Sequence, residues 1–449
     1  MSGGTLKSKA LKASAGEIMG VAGSHVLRFV STLILSRLLF PEAFGLAALV
    51  GIFNTGLVML SDVGLLQSVL QDERGDDRRF LDTVWTLQVI RGVTLWWLAS
   101  LLAWPMAAIY GEPALQLMIP VGATSVLLLG FASTSLMTLR RRLNVIRLVR
   151  IELAGQTVGL AAVVAWALVS PSAWAIVAGG LAGALYRLVA SHLIDVGYRN
   201  WFAWDHEARR RITDLGKWVY GSSSLTFVGR QSDRLLLGHY MGMATLGIYS
   251  IAVTLGEALG AAVERITRGV LLPLLSRVHR DEPEKLGEVY YKARLRLDLL
   301  GLVPLGVLAA MAQTVVEVLY DPRYIEAGWM LQALCLRVAM NMVLTPVEVC
   351  LFSIGRVRYS LYRNVGRCVW ILIGVPIVWP AWGLVGVVWV TATSEIPGLF
   401  VLWRPFIGVG LLRPAREALA VGWFVAGMAL GVGADLGIRA AMQAWGMAF

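Results

Sequence analysis

The sequence predicts an all-α polytopic membrane protein of about 12 to 14 transmembrane helices, arranged as two parallel repeats. Three observations lead there. The 449 residues are 57% hydrophobic and only 15% charged, with a mean hydropathy of +0.67, more apolar than a soluble domain of ordinary composition. Apolar stretches near 20 residues recur from end to end, each long enough to cross a hydrocarbon core of about 30 Å. Landmarks of the first half return in the same order roughly 202 residues later. A β-barrel would instead show alternating segments of about ten residues, a pattern the sequence lacks.

In chain order the apolar runs fall at 15–36, 42–66, 82–109, 115–138, 151–170, 172–193, 216–238, 245–270, 295–319, 326–352, 359–379, 381–403 and 416–434, and the remainder to Phe449 is too short for a further span. The first run follows Lys7, Lys9 and Lys12 without a small-residue cleavage site, so it is expected to stay in the membrane. Lys and Arg divide unevenly between alternate loops. One side holds those lysines, then Arg74, Arg78 and Arg79, the run from Arg140 to Arg150, Arg199, Arg209 to Arg211 and Lys217. It continues with Arg277, Arg280, Lys285, Lys292, Arg294, Arg296, Arg356, Arg358, Arg363, Arg404, Arg413 and Arg416; the other side holds only Arg37, Arg234 and Arg323. The richer side is expected to be cytoplasmic, which places the N-terminus on that side.

The same distribution accounts for the net charge of +11. It reads as topology and contact with anionic lipid rather than nucleic-acid binding. Trp96, Trp97, Trp104, Trp379 and Trp382 sit at run ends and read as an interfacial belt. Cys335, Cys350 and Cys368 lie within runs at spacings that suit neither a disulfide framework nor a metal.

A shift of 202 places Arg28 on Arg230, Leu33-Ile34-Leu35 on Leu235-Leu236-Leu237, and Phe44-Gly45-Leu46 on Leu246-Gly247-Ile248. Six runs separate the copies, so both enter from the same side and the repeat is parallel. The expected organisation is an N-terminal lobe over 1–194, a linker over 195–215, a C-terminal lobe over 216–403 and an extra helical segment over 404–449. The polar stretch from Asp195 to Lys217 reads as a plain connector or as an amphipathic helix carrying Trp201 and Trp204 on the inner leaflet.

Charges inside apolar runs are the sharpest local signal, because each costs at least about 2.5 kcal/mol at the bilayer centre unless paired or wet. Arg28 lies near the middle of the first run with His25 a turn before it, and its repeat mate Arg230 precedes Asp233 and Arg234. Glu257, Ala261, Glu264, Arg265 and Arg268 fall on one stripe of a helix, expected to line water or the partner lobe. Arg337, Asn341, Thr345 and Glu348 repeat that pattern, and Asn54 adds a polar group to the second run.

Ser36-Arg37-Leu38-Leu39-Phe40-Pro41-Glu42-Ala43-Phe44-Gly45-Leu46, followed by Ser61-Asp62-Val63-Gly64-Leu65, resembles the opening of Wzx-type polysaccharide flippases of the multidrug/oligosaccharidyl-lipid/polysaccharide (MOP, MATE-like) superfamily. Asp233-Arg234-Leu235-Leu236-Leu237-Gly238 with Leu246-Gly247-Ile248-Tyr249 resembles the start of their second half. The resemblance implies two six-helix lobes around a central cavity. It implies alternating access that carries an undecaprenyl-pyrophosphate-linked oligosaccharide, an O-antigen or exopolysaccharide unit, to the outer leaflet.

Such a cargo calls for a cation that stays charged in a low-dielectric cavity, and arginine offers paired donors to phosphate. Arg28 and Arg230 are the leading candidates, with Arg265, Arg268, Arg337 and His25 beside them and Asn54 and Asn341 as further cavity polar groups. Glu257, Glu264 and Asp233 are candidates to couple transport to protons or sodium. The plain alternative is that these arginines neutralise neighbouring carboxylates, as Arg268 could Glu264 four residues away.

No cofactor is expected. The expected partners are the lipid-linked substrate, membrane lipids and the polysaccharide polymerase and export machinery, around a monomer. The competing functions are a multidrug or cation antiporter, which calls for acids and aromatics rather than central arginines, a flippase for lipid II, and a membrane enzyme acting on lipid-linked sugars. The enzyme needs a loop able to position a metal or base, and the loops are short and lack DxD, HExxH or GxGxxG in a suitable context.

Overall fold

The computed structural model describes residues 3–62, 64–194 and 197–444. Val63, Asp195 and the stretch 445–449 lie outside the described residues, as do the side chains of Lys7, Lys9, Lys12 and Lys217. The helices are α1 (Gly3–Leu38), α2 (Pro41–Met59), α3 (Leu65–Gln71), α4 (Arg78–Tyr110), α5 (Leu115–Gly130), α6 (Ser135–Arg141), α7 (Val145–Val169) and α8 (Ala173–Leu193). They continue as α9 (His206–Ile266), α10 (Leu272–Asp281), α11 (Leu286–Ala310), α12 (Ala312–Leu319), α13 (Ala327–Ser353), α14 (Arg358–Ala392), α15 (Ile396–Gly408) and α16 (Pro414–Ala444). No strand occurs among the described residues.

Local chemistry sets several of these ends. Pro41 at the first position of α2 uses a residue whose missing N–H would be unpaired there in any case. Asp77 caps α4 by accepting the Arg79 N–H, and Gly111, at φ 66°, closes the same helix in a conformation that glycine adopts without strain.

Among the described residues, nine helical stretches have the length and apolarity to cross a membrane, or eleven if the two bent pairs, α5 with α6 and α11 with α12, each count as one span. Two of the nine, Ser223–Asp281 and Arg358–Gly408, are 59 and 51 residues long. At 1.5 Å per residue each would reach roughly 75 Å or more, well over twice the bilayer core, so each must turn back. They do so at Gly242 (φ 79°, ψ 177°) and Gly383 (φ 51°, ψ −137°), both outside helical geometry. The contacts are those of hairpins: a Cβ on Gly238 would stand 3.1 Å from Leu246, and the Trp370 Nε1 donates to the Val390 carbonyl at 3.2 Å. Splitting both stretches brings the described spans to the thirteen runs read from the sequence.

The chain falls into two compact units. Unit 1 comprises the chain to Gln231 with Gly238–Gly247, and unit 2 comprises Ser232–Leu237 with the chain from Ile248 onward. Both display to their surroundings side chains that water would not tolerate in such number. Leu101, Trp104 and Trp97 on α4 are 74%, 71% and 66% exposed, as expected of a lipid-facing belt. Trp96, from the same expected belt, is instead partly buried and donates to the Pro120 carbonyl at 3.2 Å.

Inside unit 1, α7 and α8 meet through glycines at four-residue spacing: a Cβ on Gly159 would lie 2.9 Å from the Gly179 carbonyl, and one on Gly183 would lie 2.9 Å from that of Gly155. Backbones approach this closely in membranes where packing and weak polar contacts replace the hydrophobic effect.

The 202-residue repeat is visible as a reciprocal contact. A Cβ on Gly45 would fall 1.8 Å from the Met243 carbonyl oxygen, and one on Gly247 would fall 2.0 Å from that of Pro41. Gly247 and Met243 are the repeat mates of Gly45 and Pro41, so each copy presses on the equivalent backbone of the other. Gly45→Val and Gly247→Val are each expected to lower stability by about 1–3 kcal/mol. Because they relieve one shared contact, the double variant should lose less than the two losses combined, as read from thermal unfolding of the purified protein.

The connector departs from the amphipathic helix considered above. Residues 198–205 are not helical, and α9 begins only at His206. The N–H groups of Trp201, Ala203 and Asp205 donate to Asp82 Oδ1, Thr86 Oγ1 and Thr83 Oγ1 of α4 at 3.0, 3.1 and 3.1 Å. Tyr198 and Asn200 bond to Thr134, Tyr198 also to Thr138 and Asn200 also to Ser133. The side chains of α4 thus satisfy alternate backbone donors that a helix would have used internally.

Arg74 pins this strap, reaching Asp77 at 2.9 Å and Asp205 at 2.7 Å. Its hydrogen bonds hold both carboxyls below their usual range. The folded protein therefore binds these protons less readily than the unfolded chain. The stabilisation is complete at neutral pH and is lost as pH falls below the ordinary aspartate value of about 3.9. Protection of the Trp201, Ala203 and Asp205 amides from hydrogen exchange, taken relative to the intrinsic rate at each pH, should stay high between about pH 5 and 8 and fall in more acid solution. Arg74→Gln should bring fast exchange already at neutral pH, and unchanged protection would refute the role of Arg74.

Candidate functional site

The expected polar residues fall into groups that differ in burial and partners. In unit 1, Arg28 on α1 is exposed and makes neither ion pair nor hydrogen bond among the described residues. His25, one turn earlier, is partly buried. Arg230 on α9 is also exposed, and its stretch packs with unit 1 although the repeat assigns it to the second copy. Asn54 on α2 keeps Oδ1 buried with no hydrogen-bond partner among the described residues.

In unit 2, Arg337 is no bare cation. It is 8% exposed and lies 3.1 Å from Glu257 and 3.7 Å from Asp233. Tyr249 donates to Asp233 Oδ2 at 2.7 Å, and Arg234 lies 3.6 Å from Glu257. The structure thus joins one expected substrate cation to two expected coupling acids. Asp233 Oδ1 is left buried without a hydrogen bond among the described residues.

The polar stripe of α9 is present. Glu257 is exposed and Ala261, Glu264 and Arg265 are partly so, while Gly260 and Val263 between them are buried. The α-helix gives way to a π-turn over Thr267–Leu271, and Arg268 within it stays exposed. Its Nε meets Glu264 at 3.1 Å and its Nη2 meets Glu348 at 3.4 Å. A π-turn often marks a functional position; here it carries the arginine that stands at the outer end of a buried ionic chain.

That chain runs from Arg268 through Glu348 to Arg363 at 2.5 Å, on to Glu395 at 2.9 Å, and ends at Arg367, 3.1 Å from Glu395. Asn341 accepts from Arg363 Nη2 at 2.6 Å, and Ser360 donates to Glu348 at 2.5 Å. The α13 stripe of Arg337, Asn341, Thr345 and Glu348 therefore points into unit 2, with three of the four buried, instead of lining water. The reason is electrostatic: α14 and α15 supply Arg363 and Glu395 as buried partners.

Two arginines counted above as loop charges are core residues. Arg363 is 5% exposed and Arg294 only 1%. Arg294 on α11 meets Glu417 of α16 at 2.7 Å, Asp298 at 3.3 Å and the Tyr290 hydroxyl at 2.6 Å. Tyr291 donates to Glu417 at 3.2 Å, and Arg413 and Arg416 stack over its ring. Arg141 and Arg142, expected to touch lipid headgroups, both pair with Asp76, at 3.0 and 3.2 Å. Glu395 and Arg367 went unnoticed as candidates although both sit inside apolar runs, a signal that would have found them. Arg91 of α4 was missed despite the same signal.

Comparison with known proteins agrees with this architecture. The family described as "Polysaccharide biosynthesis protein" matches residues 34–328. The "Succinoglycan biosynthesis transport protein ExoT" of Rhizobium meliloti is 23% identical over 439 residues, 91% of this chain and 86% of the relative. Among solved structures, "Lipid II flippase MurJ, inward closed conformation" superposes with a TM-score of 0.69 at 11% identity, over 93% of this chain and 91% of that one. An inward-facing multidrug resistance MATE family transporter of the MOP superfamily gives 0.62 at 12% identity, over 89% and 96%. At such identities these structures show the fold, which is that of the MATE-like superfamily.

Proposed function

Because the chain belongs to the polysaccharide biosynthesis protein family, we propose that it is a flippase that carries an undecaprenyl-pyrophosphate-linked oligosaccharide from the inner to the outer leaflet of the bacterial cytoplasmic membrane by alternating access. Its N-terminus faces the cytoplasm. The observation that carries this reading is Arg28, exposed on an apolar span with no ion pair or hydrogen bond among the described residues. A charge so placed must meet water or an anion rather than lipid. A pyrophosphate supplies several acceptor oxygens for its fork of donors.

Arg230, also exposed, is the second contact in this scheme, and the exposed end of Arg268, with Arg265 beside it, a third. Arg337 is assigned to the coupling group, with Asp233, Glu257 and Glu264, where proton or sodium uptake would loosen the ion pairs described above. The protein needs no cofactor and performs no covalent chemistry. It works as a monomer beside the polymerase and export machinery, which consume its product. Its lobes span 1–194 and 216–403, with 404–449 as an added helix.

A multidrug resistance MATE family transporter shares the fold, yet an antiporter for cationic solutes would not place unneutralised arginine in a span. A lipid II flippase would differ only in the saccharide carried. Deleting the gene should remove a surface polysaccharide and leave tolerance of cationic dyes unchanged. A deletion strain that keeps its glycan and becomes dye-sensitive would overturn the proposal in favour of the antiporter.

A further inference from the structure

Unit 1 contains a cavity of about 350 Å³ where α2 ends and where α3, α4, α5 and α6 meet, its mostly apolar lining interrupted by a few polar side chains. Its polar lining is Asp62, Gln67, Gln88, Arg91 and Ser133, the last already bonded to Ser191 and Asn200. Arg91 lies within the apolar span of α4, where an arginine facing lipid would be costly.

Its position is fixed. Nε donates to Ser61 Oγ at 3.0 Å and Nη2 to the Val58 carbonyl at 2.5 Å, and Nη1 has no partner among the described residues. Asp62 accepts from the Gly64 N–H at 3.0 Å and the Ser223 hydroxyl at 3.4 Å. Gln88 spends its amide N–H groups on the carbonyls of Leu129, Gly130 and Ala132, at 3.0, 3.1 and 3.0 Å, where α5 ends. Its Oε1 is left without a partner among the described residues, and the Gln67 side chain makes no hydrogen bond among them. Gly92 and Gly130 meet there backbone to backbone, a Cβ on either standing 3.0 Å from the other's Cα, so a larger residue on α4 or α5 would force the helices apart.

The balance of these groups identifies the ligand. One arginine and one carboxylate cancel in charge, so a phosphate entering beside Arg91 would also meet Asp62. An alkyl chain would leave Arg91 Nη1, Gln88 Oε1 and the Gln67 amide without water or partner, an expensive outcome. Sugar hydroxyls each donate and accept, and the cavity offers both: acceptors on Asp62 and the amide oxygens, donors on Arg91 and Gln67. Leu65, Leu95 and Met137 complete the lining with apolar surface suited to the C–H faces of a sugar ring. The volume is at the lower end of ligand pockets, about 300–1,000 Å³.

We propose that this cavity is a saccharide subsite that holds one or two sugar units of the glycan while Arg28 and Arg230 hold the pyrophosphate. It rests on the flippase reading.

The test uses the full-length protein in cells. Gln67→Leu keeps the side chain's size and breaks no bond among the described residues; it should lower surface polysaccharide about three- to tenfold. Gln67→Trp, which fills the cavity, should abolish it. Both should keep wild-type protein level and thermal midpoint. In Gln67→Cys, whose native thiols Cys335, Cys350 and Cys368 are buried, maleimide labelling in membranes should be several-fold slower when cells make the lipid-linked glycan than when its first glycosyl transfer is blocked.

Full export by Gln67→Trp, or equal labelling in the two backgrounds, overturns the subsite. If deleting the whole chain leaves the glycan in place, the flippase reading itself falls and the subsite with it. Lost export after deletion with full export by Gln67→Trp removes the subsite alone.

Discussion

Arg363→Ala is expected to destabilise the protein by about 3–5 kcal/mol, the loss typical of removing one member of a buried ion pair. Arg363 is 5% exposed and is held by Glu348, Glu395 and Asn341 at 2.5 to 3.0 Å. Alanine would leave two carboxylates buried, with Arg268 and Arg367 reaching only their outer ends. Lysine should recover little, because a single ammonium cannot bridge three acceptors as the guanidinium fork does. The quadruple variant Arg363→Met, Glu348→Gln, Glu395→Gln, Arg367→Gln removes both the stranded carboxylates and the cation that Glu395 pairs, and should regain much of the loss. Thermal unfolding of the detergent-purified protein reads all of these, and an unchanged midpoint in Arg363→Ala would show that the network contributes nothing.

Arg28→Ala should act in the opposite way, leaving the thermal midpoint near wild type and removing transport. A charged partner removed from a desolvated contact typically costs about 2 kcal/mol or more, which corresponds to roughly thirtyfold in affinity. Export should fall accordingly at normal protein level. Arg230→Ala should behave alike, and Arg28→Lys should retain part of the activity, since the charge remains without the bidentate geometry. Arg337→Ala serves as the contrast: it strands Asp233, 2% exposed, beside Glu257, and should lose stability before function can be judged. Full export by Arg28→Ala would remove the arginine from the mechanism.

The division between these arginines shows where sequence reading succeeds. The thirteen spans were legible because apolar run length is a property of contiguous residues. The 202-residue repeat was legible because Gly45 and Gly247 each need a side chain absent at the same place. Pairings across the chain were not. Arg294 and Arg363 lie near run ends and look like loop charge, yet their carboxylates, Glu417 and Glu395, are 123 and 32 residues away.

Arg337 likewise resembled a cavity cation because Asp233 and Glu257 lie far from it in sequence. The strap at 198–205 escaped notice because its hydrogen bonds go to Thr83, Thr86 and Asp82 rather than to its own neighbours. Helix periodicity carries no trace of such partners.

Reconstitution gives the most direct test of the central claim. Purified protein would be placed in vesicles whose inner leaflet alone carries a fluorescent undecaprenyl-pyrophosphate oligosaccharide, and appearance of the glycan outside would be followed with a membrane-impermeant lectin. Wild-type vesicles should expose it far faster than protein-free vesicles, and Arg28→Ala vesicles should match the protein-free rate. Exposure at the protein-free rate with wild-type protein, in vesicles that still transport a cationic dye, would contradict the assignment.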